Sequence, residues 1–302
     1  MNEKIVVIGS CNTDMVINTE RLPRPGETII GGNFFMNAGG KGANQAVAAA
    51  RLGGAVCFMA KVGNDHFGSR SIEQYKAEGI NVEHILTDSE KPSGVALIMV
   101  DGKGENCIAV ASGANAMLTP DDIDRAVEMI EHGDIVLMQL ETPPETVEHA
   151  ARIAKEKGKK VILNPAPALR LPDNLLKSLY MIIANETETE YITGVKITDM
   201  ESICRAADIM SERGVENVVI TLGAKGAFVK ENGTYHKVQA IKVKAVDATA
   251  AGDTFCGALC VALAEKKSVL DAVEFANKCA SVTVTRMGAQ SSLPYRSEID
   301  RM

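Results

Sequence analysis

Two short stretches of the chain combine small residues with a charged side chain directly before a helix-like run. The first, D-A-T-A-A-G-D-T-F at 247–255, sets Ala250, Ala251 and Gly252 directly before Asp253, at the start of a helix-like run. Small residues leave the N–H groups of a first helical turn uncovered, and such groups at the positive end of a helix bind anions. Asp253 is therefore either a helix-start carboxylate that interacts with the dipole or a base beside an anion hole.

The second stretch, N-A-G-G-K-G-A-N-Q-A at 37–46, combines three glycines with Lys41 and Asn44 just before another helical run. Glycines at a helix start predict that some group approaches the backbone closely. The lysine is either a ligand for an oxygen of the bound molecule or a solvated residue of a tight turn. Together the two stretches favour phosphoryl transfer, since a phosphate needs N–H donors and an attacking hydroxyl needs a nearby carboxylate.

Other common phosphate and metal motifs are absent from the sequence. It contains no G-x-x-x-x-G-K-[ST], no G-x-G-x-x-G and no H-E-x-x-H. The missing G-x-G-x-x-G argues against a nicotinamide oxidoreductase, because that motif carries the pyrophosphate of the dinucleotide.

Around the two stretches, the sequence pattern predicts alternating strands and helices. Predicted helices include 120–133 and 143–158, and the predicted strands are 4–9, 55–63, 134–140, 160–164, 180–185 and 217–223. The strands are apolar throughout, which predicts an α/β fold with a doubly wound, mainly parallel sheet flanked by helices. We expect a single domain over residues 1–302.

Two further stretches have no helical partner. Residues 14–35 are extended around a P-R-P-G turn, and 93–111 form two strands around an Asp-Gly turn. Asp-Gly between apolar runs is typical of a hairpin. These stretches predict a small β-sheet lid, formed by about 14–37 and 93–112.

Polar residues or glycines follow nearly every predicted strand. They are Asn12, Thr13, Asp14, Glu141, Asn164, Asn185, Thr221 and Gly223. Each one alone could be a helix cap or a loop residue. Because ligands of open α/β sheets bind beyond the carboxyl ends of the strands, the recurrence predicts one or two polar ligands lying across that edge.

Composition limits the partners. The 302 residues are 46% hydrophobic and 24% charged, with a net charge of −7. This balance argues against a nucleic-acid or anionic-membrane surface. No apolar run approaches the ~18 residues of a membrane span, and the seven cysteines include no C-x-x-C pair. We therefore expect a soluble, cytoplasmic protein with unpaired thiols.

The chain resembles the ribokinase family of carbohydrate kinases. Residues 37–53 and 247–259 are similar to the family's two signatures, and the resemblance runs through the whole chain. It implies ATP-dependent phosphorylation of D-ribose at the 5-hydroxyl, with Mg²⁺ bound to the nucleotide, K⁺ as a monovalent activator, and a homodimer joined through the lids. The alternatives are a family kinase for another furanose, such as 2-deoxyribose, fructose or a nucleoside, and a catalytically inactive sugar-binding or regulatory protein.

The resemblance also implies roles for individual residues. Asp253 matches the general base, with Ala250, Ala251 and Gly252 as the anion hole and Lys41 beside the reacting groups. The substrate-binding positions are Asn12, Thr13, Asp14, Gly40, Lys41, Gly42, Asn44, Glu141 and Asp253. The nucleotide-binding positions are Asn185, Glu188, Thr221, Gly223, Gly226, Gly252 and Asn277. The monovalent-cation positions are Asp247, Thr249, Thr283, Arg286, Gly288 and Ser292.

Some of these positions have a structural alternative. Asn185 and Glu188 are three residues apart, which also fits a capping box. Asp247 also fits an aspartate that caps its own turn. Ala248 and Cys256 depart from the family pattern, which often has Thr and Asn there, and they leave the sugar and cation preference open.

Overall fold

The computed structural model describes residues 4–302. Its strands are β1 (Lys4–Ile8), β2 (Asn12–Asn18), β3 (Asn33–Gly39), β4 (Ala55–Gly63), β5 (Ile85–Asp88), β6 (Gly94–Val100), β7 (Asn106–Ala111), β8 (Ile135–Met138), β9 (Lys160–Leu163), β10 (Met181–Asn185), β11 (Asn217–Thr221), β12 (Ala227–Glu231) and β13 (Thr234–Val238). Its α-helices are α1 (Lys41–Arg51), α2 (His66–Ala77), α3 (Pro120–Arg125), α4 (Val127–His132), α5 (Pro144–Glu156), α6 (Asp173–Leu176), α7 (Glu186–Thr193), α8 (Met200–Glu212), α9 (Ala251–Ala264), α10 (Val269–Thr283) and α11 (Arg296–Ile299).

The larger sheet is mostly parallel, as predicted. Its order is β13-β12-β11-β10-β9-β8-β1-β4-β5, and the strands from β11 to β5 run parallel. The antiparallel hairpin β12–β13 at one edge was not predicted. Its turn residues Asn232 and Gly233 both have positive φ, 49° and 73°. An Asn-Gly turn between β-prone runs is a hairpin signal that the sequence carries.

Both faces of this sheet are covered, which confirms the doubly wound arrangement. In β1, Ile5 and Val7 belong to one core and Val6 and Ile8 to the other. The first core contains residues of α1, α9 and α10, and the second contains residues of α3, α4, α5 and α8. Each residue of β1 after Lys4 is thus buried whichever way it points, which explains the unbroken apolar run.

The smaller sheet has the order β3-β2-β6-β7. It occupies the two stretches predicted to form a lid, but it is not wholly antiparallel, because β2 and β6 pair in parallel from Asn12↔Gly94 to Asn18↔Val100. Both strands leave the same edge of the large sheet, β2 directly after β1 and β6 after β5. The predicted Asp101-Gly102 turn joins β6 to β7.

Three predicted boundaries were wrong. The predicted helix 120–133 is divided at Ala126 into α3 and α4. Strand β8 ends at Met138, so Gln139 and Leu140, which were predicted inside the strand, lie beyond it. Strand β11 ends at Thr221, and Gly223 begins a short 3₁₀ helix with φ of 54°.

Within residues 4–302, no helix combines the length and the apolar character that crossing a membrane requires.

Candidate active site

The two glycine-bearing motifs meet at the carboxyl edge of the large sheet. Helices α1 and α9, which begin at Lys41 and Ala251, pack against each other along their length. The approach is close, because a Cβ at Gly257 would lie 2.7 Å from the Gln45 carbonyl oxygen and 2.9 Å from the Ala48 Cβ. This contact brings the first turns of both helices to one place.

Asp253 is a buried and oriented carboxylate. Its side chain is 8% exposed. Oδ2 accepts a hydrogen bond from Asn44 Nδ2 at 2.9 Å, and Oδ1 accepts one from Gln45 Nε2 at 2.9 Å. Burial raises the pKa of Asp253, while Lys41 and the two amides act against that rise. A carboxylate in such a setting suits general-base catalysis.

The start of α9 is open. Ala250 has φ of 59°, and no side chain of residues 4–302 caps the helix. The Ala251 N–H donates to the Ala248 carbonyl at 3.2 Å, whereas the described chain offers no acceptor to the N–H groups of Gly252 and Asp253. A Cβ at Gly252 would meet no described atom within 4 Å. The N–H groups of Gly252 and Asp253 are therefore free for an anion, whereas the Ala251 N–H already has a partner within the described chain.

Lys41 supplies a cation beside Asp253. Its ammonium group forms no ion pair with a carboxylate among the described residues, so it is available to a ligand. Burial lowers the pKa of Lys41, but the negative charges of Asp253, Glu141 and Glu188 outweigh burial and raise it overall. The side chain thus stays charged at neutral pH.

Glu141 fixes the start of α1. Its Oε2 accepts hydrogen bonds from the Lys41 backbone N–H at 2.9 Å and from Ser10 Oγ at 2.5 Å. The same Ser10 oxygen accepts the Gly42 N–H at 3.3 Å. Glu141 therefore satisfies a first-turn donor and adds negative charge at the positive helix end. Sequence reasoning missed Ser10, although it lies two residues after β1 at the predicted ligand edge.

The glycines of the first motif clear the protein's own backbone. A Cβ at Gly40 would lie 2.8 Å from the Asn12 nitrogen, and one at Gly42 would lie 2.6 Å from the Gly9 carbonyl carbon. Gly40 also has φ of 89°, a conformation that favours glycine. The approaching group at these two positions is thus the β1–β2 connection. The expectation that these glycines also let a sugar approach the backbone stays a prediction.

Strand β2 carries Asn12 and Asp14 on one face. Asp14 is packed over Gly39, whose Cβ would lie 2.3 Å from either carboxylate oxygen. Burial, followed by the charges of Glu141 and Asp253, raises the pKa of Asp14 to about 6. Thr13 was predicted with them, but side chains alternate along a strand. Thr13 instead borders a groove beside Met36.

Asn12 is held by a residue outside the predicted site. Its Oδ1 accepts a hydrogen bond from Asn115 Nδ2 at 2.8 Å, and Asn115 Oδ1 accepts the Cys11 N–H at 2.8 Å. This leaves the Asn12 amide nitrogen for another acceptor. A cavity of about 420 Å³ adjoins Asn12 and Glu141 and is bordered by Val110 of β7.

Several of the predicted nucleotide residues lie at or just beyond the ends of β10 and β11. Asn185 and Thr221 are paired in register at these ends. Gly226 is explained by packing, since a Cβ there would lie 2.0 Å from the Val238 carbonyl oxygen. On α10, Asn277 has a buried Nδ2 that no hydrogen-bond acceptor of residues 4–302 reaches.

Asn185 and Glu188 form the capping box that was the structural alternative. Glu188 N–H donates to Asn185 Oδ1 at 2.8 Å, and Asn185 N–H donates to Glu188 Oε2 at 2.9 Å. Burial raises the pKa of Glu188 despite the hydrogen bond from Asn185. Glu188 thus has a structural role at the start of α7, which leaves its other carboxylate oxygen without a part in the capping box.

Asp247 joins the two loops predicted to hold a monovalent cation. Its Oδ1 accepts from Thr249 N–H at 2.9 Å, and its Oδ2 accepts from Gly288 N–H at 2.8 Å. Although burial opposes it, these bonds lower the pKa of Asp247. No lysine or arginine in the described part of the chain pairs with this carboxylate.

The other predicted cation side chains bond elsewhere. Thr283 Oγ1 lies 2.8 Å from Thr254 Oγ1, Ser292 Oγ donates to the Ala289 carbonyl at 2.7 Å, and Arg286 pairs with Glu298. Thr283 and Ser292 could still offer a hydroxyl oxygen or a backbone carbonyl to a cation, whereas Arg286 could do so only through its backbone carbonyl. Cys256 is 1% exposed, and burial raises the pKa of its thiol well above the usual value.

Comparisons with known proteins show the family of the chain. A family model described as pfkB family carbohydrate kinase matches residues 2–296. A ribokinase of Haemophilus influenzae is 46% identical over 298 residues, covering 99% of this chain and 97% of that protein. A deoxyribokinase of Salmonella typhi is 39% identical over 291 residues, covering 96% and 95%. The structure of Arabidopsis thaliana ribokinase complexed with ribose and ATP superposes with a TM-score of 0.93 at 33% identity, covering 100% of this chain and 98% of that chain. With a family model that spans nearly its whole length, the chain belongs to the pfkB family of carbohydrate kinases.

Proposed function

We propose that this protein transfers the γ-phosphoryl group of ATP to the 5-hydroxyl of D-ribose. The observation that carries the proposal is the Asp253 carboxylate, held by two amides at the open start of α9. Asp253 accepts the proton of the attacking hydroxyl. The N–H groups of Gly252 and Asp253 and the ammonium group of Lys41 stabilise the negative charge of the transferring group.

The sugar lies between the start of α1 and the smaller sheet. Asn12, Asp14, Asn44 and Glu141 supply its hydrogen-bond partners. Asn44 Oδ1 supports this, because it is buried and has no hydrogen-bond donor among residues 4–302. A buried acceptor without a partner is costly, and a sugar hydroxyl would satisfy it.

ATP lies across the ends of β10 and β11, at the predicted nucleotide positions. The structure of Arabidopsis thaliana ribokinase complexed with ribose and ATP supports ATP as the phosphoryl donor. The placement is supported by the buried Nδ2 of Asn277, which has no acceptor among residues 4–302. Mg²⁺ would be held mainly by the ATP phosphates, because residues 4–302 contain no group of three or more His, Cys, Asp or Glu that could hold a metal. When bound, Mg²⁺ neutralises phosphate charge, and Glu188 is the side chain placed to assist.

K⁺ fits between the loops that Asp247 joins. The support is the negative charge of Asp247. Its hydrogen bonds keep the carboxylate ionised, and no lysine or arginine among residues 4–302 pairs with it. A bound K⁺ would neutralise it and leave the start of α9 oriented toward the phosphate.

The smaller sheet acts as a lid, and two copies of the chain pair through it. Ile108 and Val110 of the edge strand β7 are 53% and 54% exposed, and exposed apolar patches of this kind mark interaction surfaces. We also infer a cytoplasmic protein without nucleic-acid or membrane partners. All seven cysteines lie within residues 4–302 and carry free thiols, which supports a reducing compartment.

Release of ADP across a panel of acceptors tests the function. D-Ribose should give the highest kcat/KM among D-ribose, 2-deoxyribose, fructose and nucleosides, and NMR should locate the phosphate on the 5-oxygen. The similarity to a deoxyribokinase keeps 2-deoxyribose as the second candidate. The cavity beside Asn12 and Glu141 is the reason to include nucleosides. A protein that releases ADP with none of these acceptors would contradict the proposal.

A further inference from the structure

A fully buried amide lies behind the proposed base. Gln45 of α1 is 0% exposed. Its Nε2 donates to Asp253 Oδ1 at 2.9 Å and to Asn164 Oδ1 at 3.1 Å, and its Oε1 accepts from Gln139 Nε2 at 2.6 Å. Both N–H donors of the amide are therefore used. The proposed reaction assigns no role to Gln45 or Gln139.

The direction of this hydrogen-bond chain is set by a backbone carbonyl. The Ile183 carbonyl can only accept, and it accepts from Asn164 Nδ2 at 3.0 Å. The oxygen of the Asn164 amide must therefore face Gln45, and it requires a donor there. Turning the Gln45 amide over would set its oxygen against two other oxygens and its nitrogen against the Gln139 nitrogen. Gln45 is thus fixed with its N–H group toward Asp253.

We infer that Gln45, held by Gln139 and Asn164, is a positioning residue that keeps Asp253 ionised and oriented toward the attacking hydroxyl. The inference rests on the proposed role of Asp253 as the base. A donor that cannot turn to offer an acceptor stabilises the carboxylate and does nothing for its protonated form. It thereby offsets the burial that would otherwise favour protonation.

Other charges also face Asp253. Lys41 favours its ionised form, whereas the carboxylates oppose it. The groups are Lys41 of α1, Asp14 of β2, Glu141 after β8, Glu188 of α7 and Cys256 of α9. Sugar and ATP would change the surroundings of the charged groups on the ligand side. Gln45 lies on the protein side, so its hydrogen bond persists whether or not the ligands are bound.

The pH profile of kcat for ribose phosphorylation tests the inference. Gln45→Met keeps the length and the burial of the side chain but removes the donor. We expect its acidic limb to move up by about one pH unit, since a hydrogen bond to a charged group has that order of effect on a pKa. We also expect kcat to fall roughly tenfold above the limb, with the KM for ribose changed less than about threefold.

Gln139→Leu is a second variant, which should reduce the stability of the fold less than Gln45→Met does. Gln139 Oε1 has no hydrogen-bond partner in the described chain, so this substitution removes only the bond to Gln45. It should shift the limb in the same direction by a smaller amount. If Gln45→Met does not fold, the profile of Gln139→Leu decides.

Thr146→Val is the matched control. Thr146 is 1% exposed, and its Oγ1 donates to the Leu118 carbonyl at 2.7 Å, in the opposite core. Its loss should lower the melting temperature without moving the limb. If Asp253→Asn is inactive but the folded glutamine variants keep the acidic limb at the pH of the wild type, the inference about Gln45 is overturned and the proposed base is not. An Asp253→Asn variant with near-normal turnover would instead overturn the proposed base.

Discussion

At the scale of the residue, the candidate base differs from an ordinary helix-start aspartate by its surroundings. A carboxylate at a helix start usually accepts first-turn N–H groups of its own helix. Asp253 instead accepts from two side chains of α1, Asn44 and Gln45, while its own N–H remains open. The carboxylate is therefore held in place by another helix. This arrangement favours the catalytic interpretation of Asp253 over the capping one.

Asp253→Asn should remove the proton acceptor while keeping the shape of the side chain. We expect kcat to fall by roughly 10²–10⁴, the usual scale of general-base catalysis. Ribose affinity should change much less, because the sugar is bound mainly by other residues. ADP release and calorimetric titration with ribose measure the two quantities. Turnover near that of the wild type would contradict the assignment.

Asp14→Asn should stabilise the sugar-free protein. The pKa of Asp14 is about 6 in the folded chain, raised by burial, against an ordinary value of 3.8. Its carboxyl group therefore costs no stability at a pH below 3.8, and the cost grows as the pH rises from there to about 6. Above that pH, this difference between the folded and unfolded pKa corresponds to about 3 kcal/mol.

Urea denaturation at pH 4 and at pH 7.5 measures this effect. The free energy of unfolding of Asp14→Asn should exceed that of the wild type at pH 7.5, and the difference should shrink toward pH 4. Asp121→Asn, a change at an exposed residue of α3, controls for the loss of one charge. Ribose binding should weaken in Asp14→Asn alone. Equal stability of the wild type and Asp14→Asn at pH 7.5 would show that Asp14 carries no such cost.

The sequence predicts charged site residues better than it predicts their supports. Asp253, Lys41 and Glu141 stand out because of their motifs or their place after a strand. Gln45 and Gln139 lie inside apolar runs, and a polar residue there indicates a buried partner. The sequence cannot say which partner, because the residues that Gln45 joins are 94 and 208 positions away.

At the scale of the element, both helix starts depend on how closely the backbone can pack. The first turn of α1 fits against residues 9–12 only because Gly40 and Gly42 lack a Cβ. Glycines at the start of α1 led to the prediction of a ligand site there, and in the structure they allow the contact between α1 and the β1–β2 connection. A pattern of small residues indicates a close approach and does not identify what approaches.

The loop before α9 and the loop after α10 contain most of the residues predicted to bind a monovalent cation. Replacing K⁺ by Na⁺ or by a bulky organic cation at fixed ionic strength should lower activity several-fold. Asp247→Ala should abolish that dependence, because the ionised carboxylate that attracts the cation is gone. Steady-state rates of ADP release in the different salts are the measurement.

A capping aspartate elsewhere serves as the control for this experiment. Asp199 accepts the Ser202 N–H at the start of α8, at 2.9 Å. Asp199→Ala should retain the dependence on K⁺. If the wild type is equally active in both salts, Asp247 is only the turn residue that its bonds to Thr249 and Gly288 describe.

At the scale of the whole molecule, the alternation of strands and helices was enough to predict the large sheet. The unbroken apolar runs predicted that its central strands are parallel, because such runs occur where helices cover both faces of a sheet. The hairpin β12–β13 and the strand β5 were missed. Both lie at edges of the sheet, where neighbours on one side are lacking and the apolar signal is weaker.

The smaller sheet has an exposed apolar face that could join two copies of the chain. One face of this sheet carries Asp14 and continues as a cross-strand row of Phe35, Val16, Ile98 and Ile108. Ile108 is 53% exposed, although an apolar row of this kind is normally covered. A second copy of the same face would cover it and would close both sugar sites. We therefore expect a dimer at micromolar concentration.

Ile108→Asp should give a monomer with a higher KM for ribose, because a charge in the middle of the row would have to be buried between the copies. Leu97→Asp is the matched control: Leu97 is 56% exposed and lies on the opposite face of the same sheet, since it neighbours Ile98 along β6. It should leave both the dimer and the KM unchanged. Light scattering at several concentrations, run beside ribose titrations, measures the two effects. A wild-type protein that is monomeric at micromolar concentration and fully active would contradict the prediction. A dimer lost in Leu97→Asp but kept in Ile108→Asp would place the interface on the other face of the sheet.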